Sequence, residues 1–308
     1  MKSLNDLTNI PINNYSIKDS PYTAEITRDQ PTAFVFLIDQ SGSMGWDKLQ
    51  HSGELKTKAE IVTNMINKTL SELINRCVRD DGIRDYFQVA MIGYGGKSAS
   101  ACNYLWRGNL DGKKWVNISE LRDSAQYSEQ TVVKNIRGKT KVSQVSVPYW
   151  IEPAANFQTP MFDAIKETFI LINNWINDGH ENCFPPTVIN ITDGVYSDAT
   201  REEILSASES LKKLHTKDGR VLFMNCHISD DQSEKVVFPT NQHDLNDSDS
   251  YCHDLFKMSS VMPVIFNNRI NDEIKKQNDV ATKYVGMGYN SSMDDLLTLI
   301  DIGTTQTR

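Results

Sequence analysis

Three segments of the chain, far apart in sequence, carry side chains that could bind one metal ion. Asp39, Ser41 and Ser43 follow an apolar run in the sequence FLIDQSGSMG, and Thr159 and Asp193 lie in two later segments, QTP and ITDG. Side chains two residues apart on extended backbone point the same way, so one cation could contact all three of the first segment. These hard oxygen ligands, without His or Cys among them, favour Mg²⁺ or Mn²⁺ over zinc or copper.

The elements around these segments predict a sheet that would bring them together. Residues 33–38, AFVFLI, are apolar at every position, as expected of a central parallel strand covered on both faces. Further strands are predicted at residues 87–92, 188–192 and 221–225, and helices at 54–77, 161–176 and 201–215. This alternation predicts an α/β fold, a Rossmann-like, doubly wound, mostly parallel sheet with helices on both faces. Ligands of such sheets gather beyond the carboxyl ends of the strands, where Asp39 and Asp193 are expected.

The remaining segments predict the domain organisation. Residues 1–31 are expected to form an N-terminal arm, 32–303 one domain and 304–308 a tail. An insertion over about 97–150 contains a predicted hairpin, with strands at 131–136 and 141–147, standing on the edge of the fold. Residues 229–250 are predicted to be a surface loop, 251–260 a short helix, 283–286 a short edge strand and 292–300 a closing helix.

Composition excludes several classes of partner and location. The 308 residues carry a formal net charge of −8 without a long basic run, which argues against nucleic-acid binding. Five cysteines without CxxC spacing indicate neither a disulfide framework nor a zinc knuckle, and reduced thiols fit a cytoplasmic protein. No apolar run approaches the roughly 20 residues of a membrane span, and the N-terminus lacks a secretory apolar core. We therefore expect a soluble cytoplasmic protein that does not bind membranes.

The three polar segments together resemble the metal-ion-dependent adhesion site (MIDAS) of von Willebrand factor A (VWA) domains, in the order that family uses. The resemblance covers roughly residues 32–303 and implies that Ser41, Ser43 and Thr159 supply hydroxyl ligands. It further implies that Asp39 and Asp193 act directly or through water. The family commonly has one or two glycines before the Thr, whereas this chain has Asn-Phe-Gln at 156–158.

This resemblance implies a protein-binding module and not an enzyme. An Asp or Glu of a protein partner would complete the shell of the Mg²⁺ or Mn²⁺ ion. Within the family the chain is most similar to small bacterial cytoplasmic proteins like the tellurite-resistance-associated TerY proteins. That likeness implies a scaffold or regulator in a stress or signalling system, with a protein kinase and a PP2C-type phosphatase as expected partners. Trp46, just past the motif, either lines the partner-binding rim or packs locally.

Other interpretations of the same residues remain open from the sequence. The Asp-x-Ser-x-Ser segment alone could be a turn, and Thr159 before Pro160 could be an ordinary helix N-cap. A metal-dependent phosphohydrolase would need a general base, and His51 is the only histidine predicted to lie adjacent to the three segments. An extracellular adhesin and an adaptor for an AAA+ machine are the two remaining alternatives.

Overall fold

The computed structural model describes residue 12 and residues 15–46, 48–51, 54–95, 102–136, 139–229, 235–245, 250–275 and 281–304. The strands are β1 (Thr32–Gln40), β2 (Lys48–His51), β3 (Glu54–Thr57), β4 (Val78–Arg79), β5 (Gly82–Ile83), β6 (Phe87–Gly95), β7 (Cys102–Tyr104), β8 (Val116–Asn117), β9 (Gln126–Ile136), β10 (Lys139–Tyr149), β11 (Thr187–Thr192), β12 (Leu222–Ile228), β13 (Val236–Val237) and β14 (Met287–Ser291). The helices are α1 (Ser43–Trp46), α2 (Lys58–Cys77), α3 (Ile118–Asp123), α4 (Met161–Trp175), α5 (Arg201–Lys213), α6 (Ser250–Met258), α7 (Asn267–Ile274) and α8 (Met293–Thr304).

The main sheet confirms the predicted doubly wound α/β fold. Its strands lie in the order β13-β14-β12-β11-β1-β6-β7, and β8 pairs with β6. The five strands from β14 to β6 run parallel, whereas β13, β7 and β8 pair antiparallel at the two edges. Strand β1 therefore lies inside the sheet, between β11 and β6, and its carboxyl end opens onto the edge where parallel α/β sheets bind ligands.

The alternation of side chains along β1 divides the core into two layers. Phe34 and Phe36 lie in the cluster that includes α2 and α8, whereas Val35 and Leu37 lie in the cluster that includes α4, α5 and α6. All nine residues of β1 are buried. Burial on both faces explains why this strand is a continuous apolar run and not an alternating one.

Four predicted elements differ in the structure. The helix predicted from residue 54 begins at Lys58, because Thr57 and Glu60 form a capping box and residues 54–57 pair with β2. The edge strand predicted at 283–286 lies instead at 287–291 as β14, and it is inside the sheet, between β12 and β13. The predicted loop 229–250 contains β13, which lies at the edge of the main sheet. The insertion also contributes β7 and β8 to the main sheet, whereas only its hairpin was predicted.

The hairpin prediction is confirmed, with longer strands than expected: β9 and β10 pair antiparallel over 11 residues each. Its return to the domain is fixed by buried Asn67 of α2. The Asn67 side-chain oxygen accepts hydrogen bonds from the backbone N–H groups of Trp150 (2.9 Å) and Ile151 (3.3 Å), and its amide donates to the Ile151 carbonyl (3.1 Å). This arrangement fixes the chain just before the segment that carries Thr159.

Residues of the predicted N-terminal arm lie against the loop before β12. Asp218 is buried, and its carboxylate accepts hydrogen bonds from the backbone N–H groups of Thr23 (2.9 Å) and Ala24 (3.0 Å). The division into arm, domain and tail stays a prediction.

No disulfide joins the five cysteines, all of which lie in described segments. None of the described helices has the length and apolar character needed to cross a membrane.

Candidate metal centre

The segment after β1 folds its polar side chains back on one another. The Asp39 Oδ1 atom accepts a hydrogen bond from the backbone N–H of Ser41 at 2.7 Å. The Ser41 and Ser43 hydroxyl oxygens lie 3.1 Å apart, because Ser43 starts the short helix α1 and turns toward its neighbour. Asp39 and Ser41 are only 1% and 3% exposed, so this cluster lies below the surface.

The segment after β11 joins this cluster through two short hydrogen bonds. The Ser43 hydroxyl donates to Asp193 Oδ1 at 2.7 Å, and the Thr192 hydroxyl donates to Asp39 Oδ2 at 2.7 Å. Each carboxylate is thus bound by a hydroxyl from the other segment. The structure therefore brings Asp39, Ser43 and Asp193 together, as the sequence predicted, across about 150 residues of chain.

Thr159 joins the same cluster from the segment before α4. A methyl group at the Gly194 position would lie 3.9 Å from the Ser43 hydroxyl oxygen and 4.0 Å from that of Thr159, so both hydroxyls face the Asp193-Gly194 turn. The N-cap of α4 is Pro160, which makes no side-chain capping bond. The alternative interpretation of Thr159 as the helix cap is therefore wrong.

Asp198 caps α4 in place of Thr159. Its two carboxylate oxygens accept hydrogen bonds from the backbone N–H groups of Phe162 (3.1 Å) and Asp163 (3.0 Å). A carboxylate at a helix N-terminus also interacts favourably with the helix dipole. This cap leaves the Thr159 hydroxyl available to the polar cluster.

Two backbone hydrogen bonds connect the segment after β1 to the segment before α4. The N–H of Gly42 donates to the Phe157 carbonyl at 3.1 Å, and the N–H of Asn156 donates to the Gln40 carbonyl at 2.8 Å. Phe157 has φ = 65°, in the left-handed region that favours glycine. This turn therefore carries an aromatic residue in a strained conformation.

Beneath the cluster, a row of buried hydrogen bonds crosses three strands. The Tyr94 hydroxyl of β6 donates to Asn190 of β11 at 2.8 Å, the Asn190 amide donates to Asn225 of β12 at 2.9 Å, and the Asn225 amide donates to the Ser259 hydroxyl at 3.0 Å. All three side chains from the strands are fully buried. A satisfied buried network of this kind fixes the strand ends and hence the segments that follow them.

The pKa of Asp39 reflects its burial beside another acid. Burial raises it to about 6, because a carboxylate removed from water is less stable than a neutral carboxyl. Hydrogen bonds from Ser41 and Thr192 act in the opposite direction, and the charge of Asp193 raises the pKa further. These hydrogen bonds offset only part of the cost of burying the charge, and a bound cation would offset more of it.

Sequence reasoning missed Lys58, which belongs to this site. The Lys58 Nζ atom lies 3.2 Å from Asp193 Oδ2, and the two side chains are 11% and 0% exposed. Residue 58 was predicted in the middle of a helical run, where a lysine is usually a solvated surface residue. The contact depends on the helix starting at this residue and on the fold bringing Asp193, 135 residues away in sequence, next to it.

His227 also lies closer to the site than the sequence indicated. It pairs in register with Thr192, at the carboxyl end of the strand next to β11. Its ring stacks on Tyr289 with centroids 4.6 Å apart and meets Tyr251 edge-on at 5.8 Å, and the Tyr251 hydroxyl donates to the Gly194 carbonyl at 2.7 Å. The prediction that His51 alone lies adjacent to the three segments is therefore wrong.

The donor set fits a hard divalent cation. Two carboxylates and three hydroxyls meet at one edge of the sheet, and the ammonium of Lys58 shows that the cluster accommodates a positive charge. Within the described segments, no group of three or more His, Cys, Asp or Glu side chains could hold a metal. A cation here would therefore depend on the hydroxyls of Ser41, Ser43 and Thr159, which suits magnesium and manganese better than zinc.

The raised pKa of Asp39 predicts a pH effect on stability when no divalent metal is present. The folded state holds this proton more tightly than the unfolded state, so the free energy of unfolding falls as the pH rises from about 4 to about 6. Replacing Asp39 with Asn should remove this loss and raise the free energy of unfolding by about 3 kcal/mol near pH 8. Urea denaturation with a chelator, at about pH 5 and pH 8, measures it. A variant less stable than wild type at the higher pH would contradict the interpretation.

The strained conformation of Phe157 predicts a difference between two variants that both remove the ring. Phe157→Gly should be more stable than Phe157→Ala by about 1 kcal/mol, because only glycine adopts this φ without strain. The ring is 58% exposed, so its loss is common to both variants and small. Thermal or urea unfolding of the pair gives the difference. Equal stabilities would show that the turn is unstrained in solution.

Comparison with solved structures finds matches at low sequence identity. A von Willebrand factor type A protein from Catenulispora acidiphila is 13% identical, with a TM-score of 0.36 over 71% of this chain and 43% of that one. Proximal thread matrix protein 1 from the mussel byssus is 13% identical, with a TM-score of 0.38 over 75% and 42%. The pilus adhesin RrgA from Streptococcus pneumoniae is 13% identical, with a TM-score of 0.27 over 91% and 35%.

This chain spans less than half the length of each of these proteins. Comparison with protein-family models gives no match, and comparison with curated proteins gives none either. The case for a function therefore rests on the geometry of the site itself.

Proposed function

We propose that the chain is a metal-ion-dependent protein-binding module of the VWA type. The observation that carries the proposal is the meeting of five oxygen-bearing side chains from three segments at the carboxyl edge of the sheet. Asp39, Ser41, Ser43, Thr159 and Asp193 would hold the ion, with Mg²⁺ or Mn²⁺ as the metal that their oxygens fit.

The charge of this donor set is what favours binding of an acidic partner. Two carboxylates neutralise a divalent cation, and hydroxyl ligands add no further charge. The metal supplies a Lewis acid with affinity for an outside oxygen, and the chain's own residues hold and orient it. An Asp or Glu of a protein partner is the group that such a site would bind.

Apolar side chains around the site indicate the surroundings of that acidic residue. Each of the three segments exposes one large apolar residue: Trp46 is 78% exposed, Phe157 58% and Val195 54%. The Trp46 ring also lies over Gly42, where an added methyl group would be 3.2 Å from its Cζ2 atom. Local packing and exposure therefore coexist at Trp46. Such a rim fits a partner whose carboxylate is flanked by apolar side chains.

The finer parts of the proposal rest on the resemblance in sequence to TerY-like proteins. It supplies a bacterial cytoplasmic setting, a role as scaffold or regulator in stress or signalling, and a protein kinase and a PP2C-type phosphatase as candidate partners. An adhesin or an adaptor for an AAA+ machine would bind through the same site, and these hypotheses differ only in the partner. Co-purification with the products of neighbouring genes separates these settings.

A metal-dependent phosphohydrolase is the second candidate, because the structure adds His227 to the edge that holds the site. The Nδ1 atom of this histidine accepts a hydrogen bond from the backbone N–H of Asn290 at 3.4 Å. In the neutral ring this places the proton on Nε2, so the ring presents a donor and not a base toward other groups. We therefore propose binding without catalysis. Manganese-dependent turnover of p-nitrophenyl phosphate that requires Asp39 would favour the enzyme.

Metal titration followed by tryptophan fluorescence tests the proposal. Mg²⁺ and Mn²⁺ should produce a saturable change, because Trp46 packs on the segment that carries Ser41 and Ser43. Asp193→Asn should weaken binding by about 100-fold or more, since it removes one of two charged ligands. Asp178→Asn, at an exposed position beyond the far end of α4, is the matched control and should bind as wild type.

Trp46→Phe identifies the source of the signal, because the chain has five tryptophans. Loss of the fluorescence change with retained calorimetric binding would confirm Trp46 as the reporter. Equal metal affinity of wild type and Asp193→Asn would overturn the proposed site.

A further inference from the structure

Lys58 places its ammonium on the cation-binding side of the cluster. Its Nζ atom contacts Asp193 Oδ2, while Asp193 Oδ1 accepts the hydrogen bond from Ser43. Both oxygens of a carboxylate offered to the metal are thus already engaged. Because the Asp193 side chain is inaccessible to solvent and Lys58 is only 9% exposed, the ammonium also covers the carboxylate.

The position of this lysine is unfavourable for its own helix. Lys58 is the first residue of α2, where the unpaired backbone N–H groups and the helix dipole disfavour a positive charge. The capping box between Thr57 and Glu60 fixes the helix start at this residue. The ion pair with Asp193 helps to offset both the dipole and the burial of the ammonium.

Counting charges shows what this ammonium does to metal binding. Asp39 and Asp193 contribute two negative charges and Lys58 one positive charge, so the cluster offers a divalent cation only one net negative charge. A bound divalent cation leaves the cluster with a net positive charge, and one carboxylate from a partner restores neutrality. Charges this close in a poorly hydrated site interact strongly.

We propose that Lys58 is a built-in competitor for the metal: its ammonium satisfies Asp193 in the metal-free state, lowers the affinity for divalent cations and makes their uptake depend on a carboxylate ligand. This inference rests on the metal-dependent binding proposed above and adds the regulation of that site. The site then binds metal and acidic partner cooperatively, and metal alone binds more weakly than metal together with a carboxylate.

Calorimetric titration with Mn²⁺ near neutral pH tests this competition. Lys58→Met removes the charge and keeps the length of the side chain, and should raise the Mn²⁺ affinity by about ten-fold or more over wild type. Lys58→Arg keeps the charge and should not raise it. Lys68→Met is the matched control for loss of one positive charge in the same helix, since Lys68 is 66% exposed and pairs with Glu72. It should leave the affinity unchanged.

The dependence on a carboxylate is tested with acetate as the probe at constant ionic strength. Acetate should strengthen Mn²⁺ binding to wild type more than to Lys58→Met. Thermal unfolding gives a second measurement for variants that fold poorly: Lys58→Met, or Lys58→Gln in its place, should be less stable than wild type without metal. The same variant should gain more stability from Mn²⁺, because metal replaces the lost cation.

The outcomes separate this inference from the proposed function. Equal Mn²⁺ affinities of wild type, Lys58→Met and Lys68→Met would overturn the role of Lys58 and leave the metal site standing. Weaker binding by Lys58→Met would overturn it too, since the lysine would then support the metal and not compete with it. If neither wild type nor Lys58→Met bound Mn²⁺ with or without acetate, both the metal site and the competition would be overturned.

Discussion

Two buried carboxylates at the carboxyl edge of a parallel sheet are the constraint around which the site is built. Asp39 and Asp193 repel each other and have both lost most of their contact with water, so each must be compensated by donors or cations. Ser41 and Thr192 donate to Asp39, and Ser43 and Lys58 to Asp193. A divalent cation would compensate both carboxylates at once, which is why this geometry favours metal binding over a structural role.

The rest of the fold holds these two acids in place. Strand β1 lies between β6 and β11, and the buried row from Tyr94 through Asn190 to Asn225 fixes the strand ends from below. Backbone hydrogen bonds connect the segment after β1 to the one before α4, and Asp198 caps that helix. These contacts hold Phe157 in its strained conformation. Its exposed ring is then placed where a bound partner would contact it.

The sequence predicts the parts of this site that depend on local pattern. The apolar run of β1, the alternation of strands and helices and the Asp-x-Ser-x-Ser spacing were enough to place Asp39, Ser41 and Asp193 at one edge. Lys58 could not be found that way, because its role depends on a helix start set by a capping box and on an ion pair across 135 residues. His227 was missed because only strand register places it beside Thr192. The β14 boundary was misplaced because its pairing partner, β12, is distant in sequence.

The most direct test of the account is a crystal structure of the protein soaked with Mn²⁺, with data collected for manganese anomalous scattering. The account predicts an anomalous peak among the Ser41, Ser43 and Thr159 hydroxyls, with the Lys58 ammonium moved away from Asp193. A fully soaked crystal with no peak there, and with the Lys58–Asp193 and Ser43–Asp193 contacts unchanged, would contradict it. The cluster would then be an internally compensated polar network with no role in binding a metal.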